Sequence, residues 1–182
     1  MILRDEAFQK PVFFCDKTFL FDRFATWLKN NENVVSISNQ LHIYQDGIYQ
    51  VGYKAIETAM ISQIPNLKKT QRREVLEYME LIADERTQAD ARYIAFRNGV
   101  LDIVTGQMQS FSPDLVITNQ IPWDYNSEAY SELADDTLNK LACGDQPIRA
   151  LLEECIGYCF YRRNELGKAF ILTGDKSNGK ST

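Results

Sequence analysis

Apolar positions along this chain recur with two periods, near 3.6 and near 2, and the switches between them outline its elements. Pro11 to Cys15 is an apolar run that predicts a short strand. Leu20, Phe24, Trp27 and Leu28 then fall on one helical face. That helix is expected to begin at Asp16 to Thr18 and to end at Asn30-Asn31. Val34 to Ile37 reads as a strand. Two alternating runs, LHIYQ and IYQVG, flank Asp46-Gly47, a pair that accepts the positive φ values of a tight hairpin turn. Ala55 to Ile64 predicts a helix stopped by Pro65. Leu67 to Asp84 predicts a longer one, with Val75, Tyr78, Met79 and Ile82 on one face.

Residues 84 to 92 are polar and read as a loop. The run YIAFR-NG-VLDIV-TG-QMQSFS carries turn signals at Asn98-Gly99 and Thr105-Gly106, which predicts a three-stranded meander. Pro113 to Tyr125 is irregular. The helical period returns from Glu128, with Leu133, Leu138 and Leu141 inward and Gly144 as a C-cap. Asp145 or Gln146 then caps a further helix with Pro147 in its first turn and an apolar stripe of Ile148, Leu151, Leu152, Cys155, Ile156, Cys159 and Phe160. Arg162 and Arg163 are placed to cap its C-terminal end. Ala169 to Leu172 predicts a strand leading into Gly174. Hairpins mixed with helices define an α+β class, with the first helix and strand of an α/β domain appended. The expected boundary divides residues 1–145 from 146–182.

The chain has 182 residues, 45% hydrophobic and 25% charged, as in ordinary globular proteins. Its net charge of −5 gives no bulk attraction to nucleic acid, so any such contact needs a local basic patch. No apolar run approaches the length of a membrane span, and MILRDEAFQK is not a signal peptide. The four cysteines form no C-x-x-C pair, and His42 is the only histidine. A zinc site is therefore not expected. Cys155 and Cys159 are expected to be packed thiols in a reducing cytosol.

Two clusters carry candidate chemistry. Gly174, Gly179, Lys180 and Ser181 meet the pattern G-x-x-x-x-G-K-[ST]. In such a loop glycines let backbone N–H groups wrap a phosphate chain, a lysine holds the outer phosphates and a hydroxyl ligates Mg²⁺. The second cluster is Lys68, Lys69, Arg72 and Arg73, at a predicted helix N-terminus where the dipole disfavours cations. It reads either as a solvated face with an Arg73–Glu77 pair or as a contact with a phosphate backbone. Trp123 and Tyr125 are aromatic candidates for stacking on bases, against the plainer role of core packing or loop anchoring. His42 reads as a structural residue on a strand. Asp135 and Asp136 are adjacent on a helix, diverge, and are expected on a solvated face.

Three blocks, QLHIYQDGIYQVG, YIAFRNGVLDIVTGQMQSFSPDLVITNQIPWDYN and LLEECIGYCFYRRNELGKAFILTGDKSNGKST, make the chain resemble the middle region of phage and plasmid primase-helicases of superfamily 3, relatives of the poxvirus primase-helicase. The resemblance implies a collar or linker domain followed by the opening of a motor that unwinds DNA with ATP and Mg²⁺. It implies assembly into a homo-oligomer, usually a hexameric ring, in the cytoplasm of a bacterial host and of phage or prophage origin. Carried over by position, Gly174, Asp175, Lys176, Ser177, Asn178, Gly179, Lys180, Ser181 and Thr182 would form the nucleotide loop, with Ser181 on the metal. The family's Walker-B acids, sensor and arginine finger have no counterpart in these 182 residues, so negligible ATP hydrolysis is expected. The competing reading is a non-enzymatic module for oligomerisation or DNA docking.

Overall fold

A computed structural model describes residues 13–173. Its order is β1 (Phe14–Cys15), β2 (Thr18–Phe19), α1 (Phe21–Asn31), β3 (Val34–Ile37), β4 (Gln40–Gln45), β5 (Ile48–Val51), α2 (Tyr53–Gln63), α3 (Lys69–Ile82), β6 (Tyr93–Phe96), β7 (Gly99–Asp102), β8 (Gln107–Gln109), α4 (Glu132–Leu141) and α5 (Gln146–Phe160). All strand pairs in the three small sheets are antiparallel. The class is α+β, as the mixed periods predict. Two compact units divide the chain. One runs to Gln88 and takes in Ser112–Asn119, and the other holds Ala89–Phe111 and the chain from Gln120 onward.

The first unit packs α1, α2 and α3 over sheet β3-β4-β5. Phe24, Leu28, Ile43, Ile56, Met60, Val75 and Met79 are fully buried at its centre. Each contributes about 1.5–3 kcal/mol through removal of apolar surface from water. The turn at Asp46-Gly47 forms as its sequence demands, with φ of 51° and 88°. A second turn of the same hand, Ser38-Asn39 with φ of 51° and 63°, joins β3 to β4. The irregular run after Pro113 is less peripheral than its composition implies. Val116 and Ile117 are buried, and the Ile117 carbonyl accepts from the Tyr49 N–H at 2.8 Å.

The expected start of the first helix at Asp16 to Thr18 is not observed. Asp16 takes a left-handed φ of 54° and turns the chain into hairpin β1-β2, where Phe14 and Phe19 face each other with ring centres 5.3 Å apart. Phe19 and Phe13 then pack on Phe24, which starts the helix three residues late, at Phe21.

In the second unit, β6, β7 and β8 form the predicted meander. The tight turn, however, lies at Arg97-Asn98, because Gly99 already pairs with Phe96 in the ladder. Gly99 is needed for a different reason. Its φ is 147°, and a Cβ there would lie 2.8 Å from the Gln109 carbonyl oxygen. Helix α4 begins at Glu132, with the Ser131 hydroxyl accepting from the Ala134 N–H at 3.3 Å. Gly144 and Cys143, at φ of 76° and 51°, end that helix, and Asp145 caps α5 through the Ile148 N–H at 3.1 Å.

Among the described residues the run Ala169 to Leu172, expected as a strand, pairs with no other segment, and Ile171 is 84% exposed. A strand needs a neighbouring edge for its N–H and C=O groups, and among the described residues none lies beside this run. The expected role of Arg162 and Arg163 as caps is also corrected. The Arg162 guanidinium donates to the carbonyls of Ala89 and Asp90 at 3.1 and 2.7 Å, and Arg163 pairs with Glu165 at 3.0 Å.

Candidate nucleic-acid interface

The basic cluster at the start of α3 is not one surface of four equivalent cations. Lys68 is the N-cap residue, and its backbone N–H donates to the Gln71 side chain at 3.0 Å. Arg72 turns inward and is half-buried. Its Nε donates to Glu57 at 3.0 Å, and Nη1 donates to the Leu67 carbonyl at 2.8 Å. Arg72 therefore ties α3 to α2 and is spent on the fold. Arg73 is exposed and makes the expected pair with Glu77, at 2.8 Å. Lys68 and Lys69 are exposed and have no ion pair among the described residues.

A groove of about 390 Å³ runs beside this cluster, lined by Tyr53, Glu57, Lys69, Arg73, Glu77 and Glu80 with Leu76 at its floor. Three carboxylates face two cations there, so the groove itself does not favour a polyanion. The Tyr53 hydroxyl donates to Glu80, and that bond holds the phenol above its usual pKa. Lys68 lies outside the groove lining and Lys69 within it, and both are exposed cations that a phosphate backbone can meet.

The second candidate surface, in the other unit, is the loop that follows Gln120. Ile121 forms a parallel bridge with Phe96, and its N–H donates to the Ala95 carbonyl at 2.9 Å. The Arg97 N–H donates to the Trp123 carbonyl at 3.0 Å, and its guanidinium grips Asp124 with two bonds of 2.9 and 2.8 Å. This bidentate pair holds the Asp124 carboxyl below the usual carboxylate range. The ring of Tyr125 packs on Phe96 at 5.2 Å, whereas Trp123 projects outward and is 71% exposed. Tyr125 is thus half-buried as an anchor of its loop, and Trp123 packs in no core. No signal local in sequence pointed to the Arg97–Asp124 grip, because its partners are 27 residues apart.

The other sequence candidates separate cleanly. His42 is buried on β4, with Nδ1 2.8 Å from the Gln40 carbonyl, a structural arrangement. Cys159 is exposed rather than packed, with Sγ directed at the Cys155 carbonyl, and Cys155 is half-buried. Asp135 is not a solvated carboxylate: Arg149 binds it at 2.6 Å and Glu153 at 3.0 Å, joining α4 to α5. Burial pushes the Arg162 guanidinium below its usual range. Among the described residues no His, Cys, Asp or Glu side chains group as a metal site, and no helix is long and apolar enough to cross a membrane. The nucleotide-loop candidates Gly174, Asp175, Lys176, Ser177, Asn178, Gly179, Lys180, Ser181 and Thr182 lie outside the described residues.

These features define an α+β chain with an exposed basic surface at Lys68 and Lys69 on one unit and an exposed Trp123 loop on the other. The chain belongs to the D5 N terminal like family, whose model matches residues 1–155. Domains of this family occur in phage and viral primase-helicase proteins and are associated with replication. The match runs through the first turns of α5. No curated protein matches the chain.

Proposed function

We propose that the chain is the collar-type portion of a phage-type replicative helicase, leading into the nucleotide loop of its motor. In the complete protein, ATP-dependent unwinding of DNA follows, with Lys180 on the outer phosphates of ATP and Ser181 on Mg²⁺. The protein works as a homo-oligomeric, hexameric ring in the bacterial host cytoplasm. The observation that carries this reading is a D5 N terminal like match over residues 1–155 with the Gly174–Ser181 pattern close behind it on the same chain. The expected ATP turnover of the 182-residue chain is far below 1 s⁻¹, the low end of ordinary enzymes. A steady-state rate of about 1 s⁻¹ or more that Lys180→Ala abolishes would show a motor complete within these residues and overturn the reading.

A non-enzymatic docking role is favoured by one observation of its own. Lys68 and Lys69 stand exposed and without an ion pair among the described residues, on a chain that is otherwise acidic. The test is single-stranded DNA binding as a function of salt, with Lys68, Lys69 and Arg73 reversed to Glu and Arg72 left in place to keep the fold. Docking at this cluster predicts weaker binding and a shallower salt slope in the variant. Unchanged affinity and slope would rule it out.

A further inference from the structure

The chain passes between its two compact units three times, and the run Ser112–Asn119 is a brief return to the first. Sequence order would leave this run in the second unit, between β8 and the loop that follows Gln120. Sheet β3-β4-β5 draws it back, because that sheet has two apolar faces. Strand alternation sends Val34, Leu41 and Ile43 toward the helices. Val35, Ile37 and Tyr49 form a separate buried cluster, which Val116 joins from outside the sheet. Without that cover the second face would hold apolar surface in water. Few polar contacts keep the cover closed. Tyr49 makes the two short ones, from its N–H to the Ile117 carbonyl at 2.8 Å and from its hydroxyl to the Pro113 carbonyl at 2.7 Å. The bonds from Arg86 to the Asp114 carbonyl and from Gln88 to the Thr118 hydroxyl are both longer, at 3.4 Å.

Both ends of this run lead at once into bonded parts of the second unit. On one side Gln109 closes β8, where it pairs with Val100 of β7. On the other, the Gln120 side chain donates to the Phe96 carbonyl at 3.1 Å, and the Ile121 N–H donates to the Ala95 carbonyl at 2.9 Å. A run with both ends held has little freedom left to lose when it closes over Tyr49. Released at either end, it has more to lose, and the closed state becomes less favourable. The cover of one unit thus depends on order in the other. We propose that residues 112–119 are a strap that couples the two units along the chain. Loosening the loop after Gln120 opens the cover over Tyr49, and opening the cover loosens that loop. The two effects are equal in free energy, because such coupling is reciprocal.

Amide hydrogen exchange on the 182-residue chain and its variants tests the strap. The Tyr49 N–H reports the cover, since its acceptor lies on the strap. The Gly52 N–H, bonded to the Leu41 carbonyl at 3.1 Å, reports the same sheet without the strap, and the Ile121 N–H reports the loop. Asn98→Ala removes the two bonds that hold the loop at Tyr125. Exchange at Tyr49 is expected to rise about threefold or more, with Gly52 unchanged, because the opening is local. Tyr49→Phe removes the bond to Pro113 and is expected to speed exchange at Ile121 in turn. Faster exchange at Ile121 in Asn98→Ala with Tyr49 unchanged overturns the strap. Equal acceleration at Tyr49 and Gly52 also overturns it, since that is a loss of stability shared by the whole sheet. Arg97→Gln breaks the bidentate contact with Asp124 on the same loop and repeats the test if Asn98→Ala does not fold. The Tyr49→Phe arm decides independently: unchanged exchange at Ile121 there overturns the coupling.

Discussion

The side chain of Asn98 pairs with the backbone of Tyr125 as though it were a strand residue. Its Nδ2 donates to the Tyr125 carbonyl, and its Oδ1 accepts from the Tyr125 N–H, both at 2.9 Å. An asparagine at a hairpin turn ordinarily serves its own backbone. Here it serves a segment 27 residues away and continues the edge begun by the Phe96–Ile121 bridge.

Asn98→Ala removes both bonds at once and leaves the Tyr125 groups to water. The expected loss is about 1–2 kcal/mol in urea unfolding, since each such bond contributes about 0.5–1.5 kcal/mol. The loop should loosen as well, so hydrogen exchange at residues 121–125 should accelerate by more than the global stability change requires. Exchange that tracks global stability alone would show that the loop is held without Asn98.

Arg72 and Arg73 are adjacent in sequence and opposite in consequence. Arg72→Ala leaves the half-buried Glu57 carboxylate and the Leu67 carbonyl without their partner, and about 1–3 kcal/mol of stability should go with it. Arg73→Ala removes one exposed i,i+4 pair, whose contribution is about 0.3–0.5 kcal/mol. The docking reading proposed above predicts the reverse order for single-stranded DNA: Arg73→Ala should weaken binding, and Arg72→Ala should not, once compared at equal folded fraction. Equal chemical denaturation midpoints for the two variants would contradict the assignment.

That contrast shows where the sequence was readable. The Asp46-Gly47 hairpin, the three-stranded meander and the Asp145 cap are written in residues a few positions apart, and each forms. Helices α2 and α3 appear within two residues of their expected ends, at 53–63 and 69–82, because buried Ile56, Met60, Val75 and Met79 set the period. Long-range partners were not readable. Nothing near Arg72 names Glu57, nothing near Arg97 names Asp124, and the β1-β2 turn at Asp16 has the same local composition as a helix start. Periodicity also fixes a face without fixing what covers it. The α5 stripe is real, yet Ile148, Leu151, Ile156 and Phe160 remain exposed among the described residues.

Gly99 and Gly106 both have positive φ, 147° and 69°, but only Gly99 is hemmed in. Gly106→Ala meets open space and should cost about 1–2 kcal/mol for the left-handed backbone alone. Gly99→Ala adds a clash with the Gln109 carbonyl at 2.8 Å, backbone that cannot swing aside without opening β7-β8. It should lose more than about 2 kcal/mol, combining backbone strain with a displaced strand. Thermal unfolding of the two variants gives the order, and an equal or larger loss at Gly106 would refute the close-approach argument.

Tyr49 supplies a prediction at high pH. Its ring is buried, its hydroxyl donates to the Pro113 carbonyl at 2.7 Å, and burial raises its pKa, with Tyr44 and Asp114 adding to the rise and Arg86 opposing it. The neutral phenol is thus favoured in the folded state. Below about pH 10, the unfolded value, both states carry the proton and the contribution of Tyr49 is intact. Above it the unfolded chain ionises first, so stability falls as pH rises toward the folded pKa, by at most about 1.4 kcal/mol per pH unit from this group. Tyr49→Phe should lower stability at neutral pH by about 1 kcal/mol through the lost hydrogen bond, and should flatten the decline above pH 10. Lysine and arginine titration is common to both proteins and cancels in the difference. Tyr44, also raised by burial, retains part of the slope in the variant. Parallel curves for the two proteins above pH 10 would mean that the Tyr49 hydroxyl reaches water, and that the 112–119 segment does not close over β5.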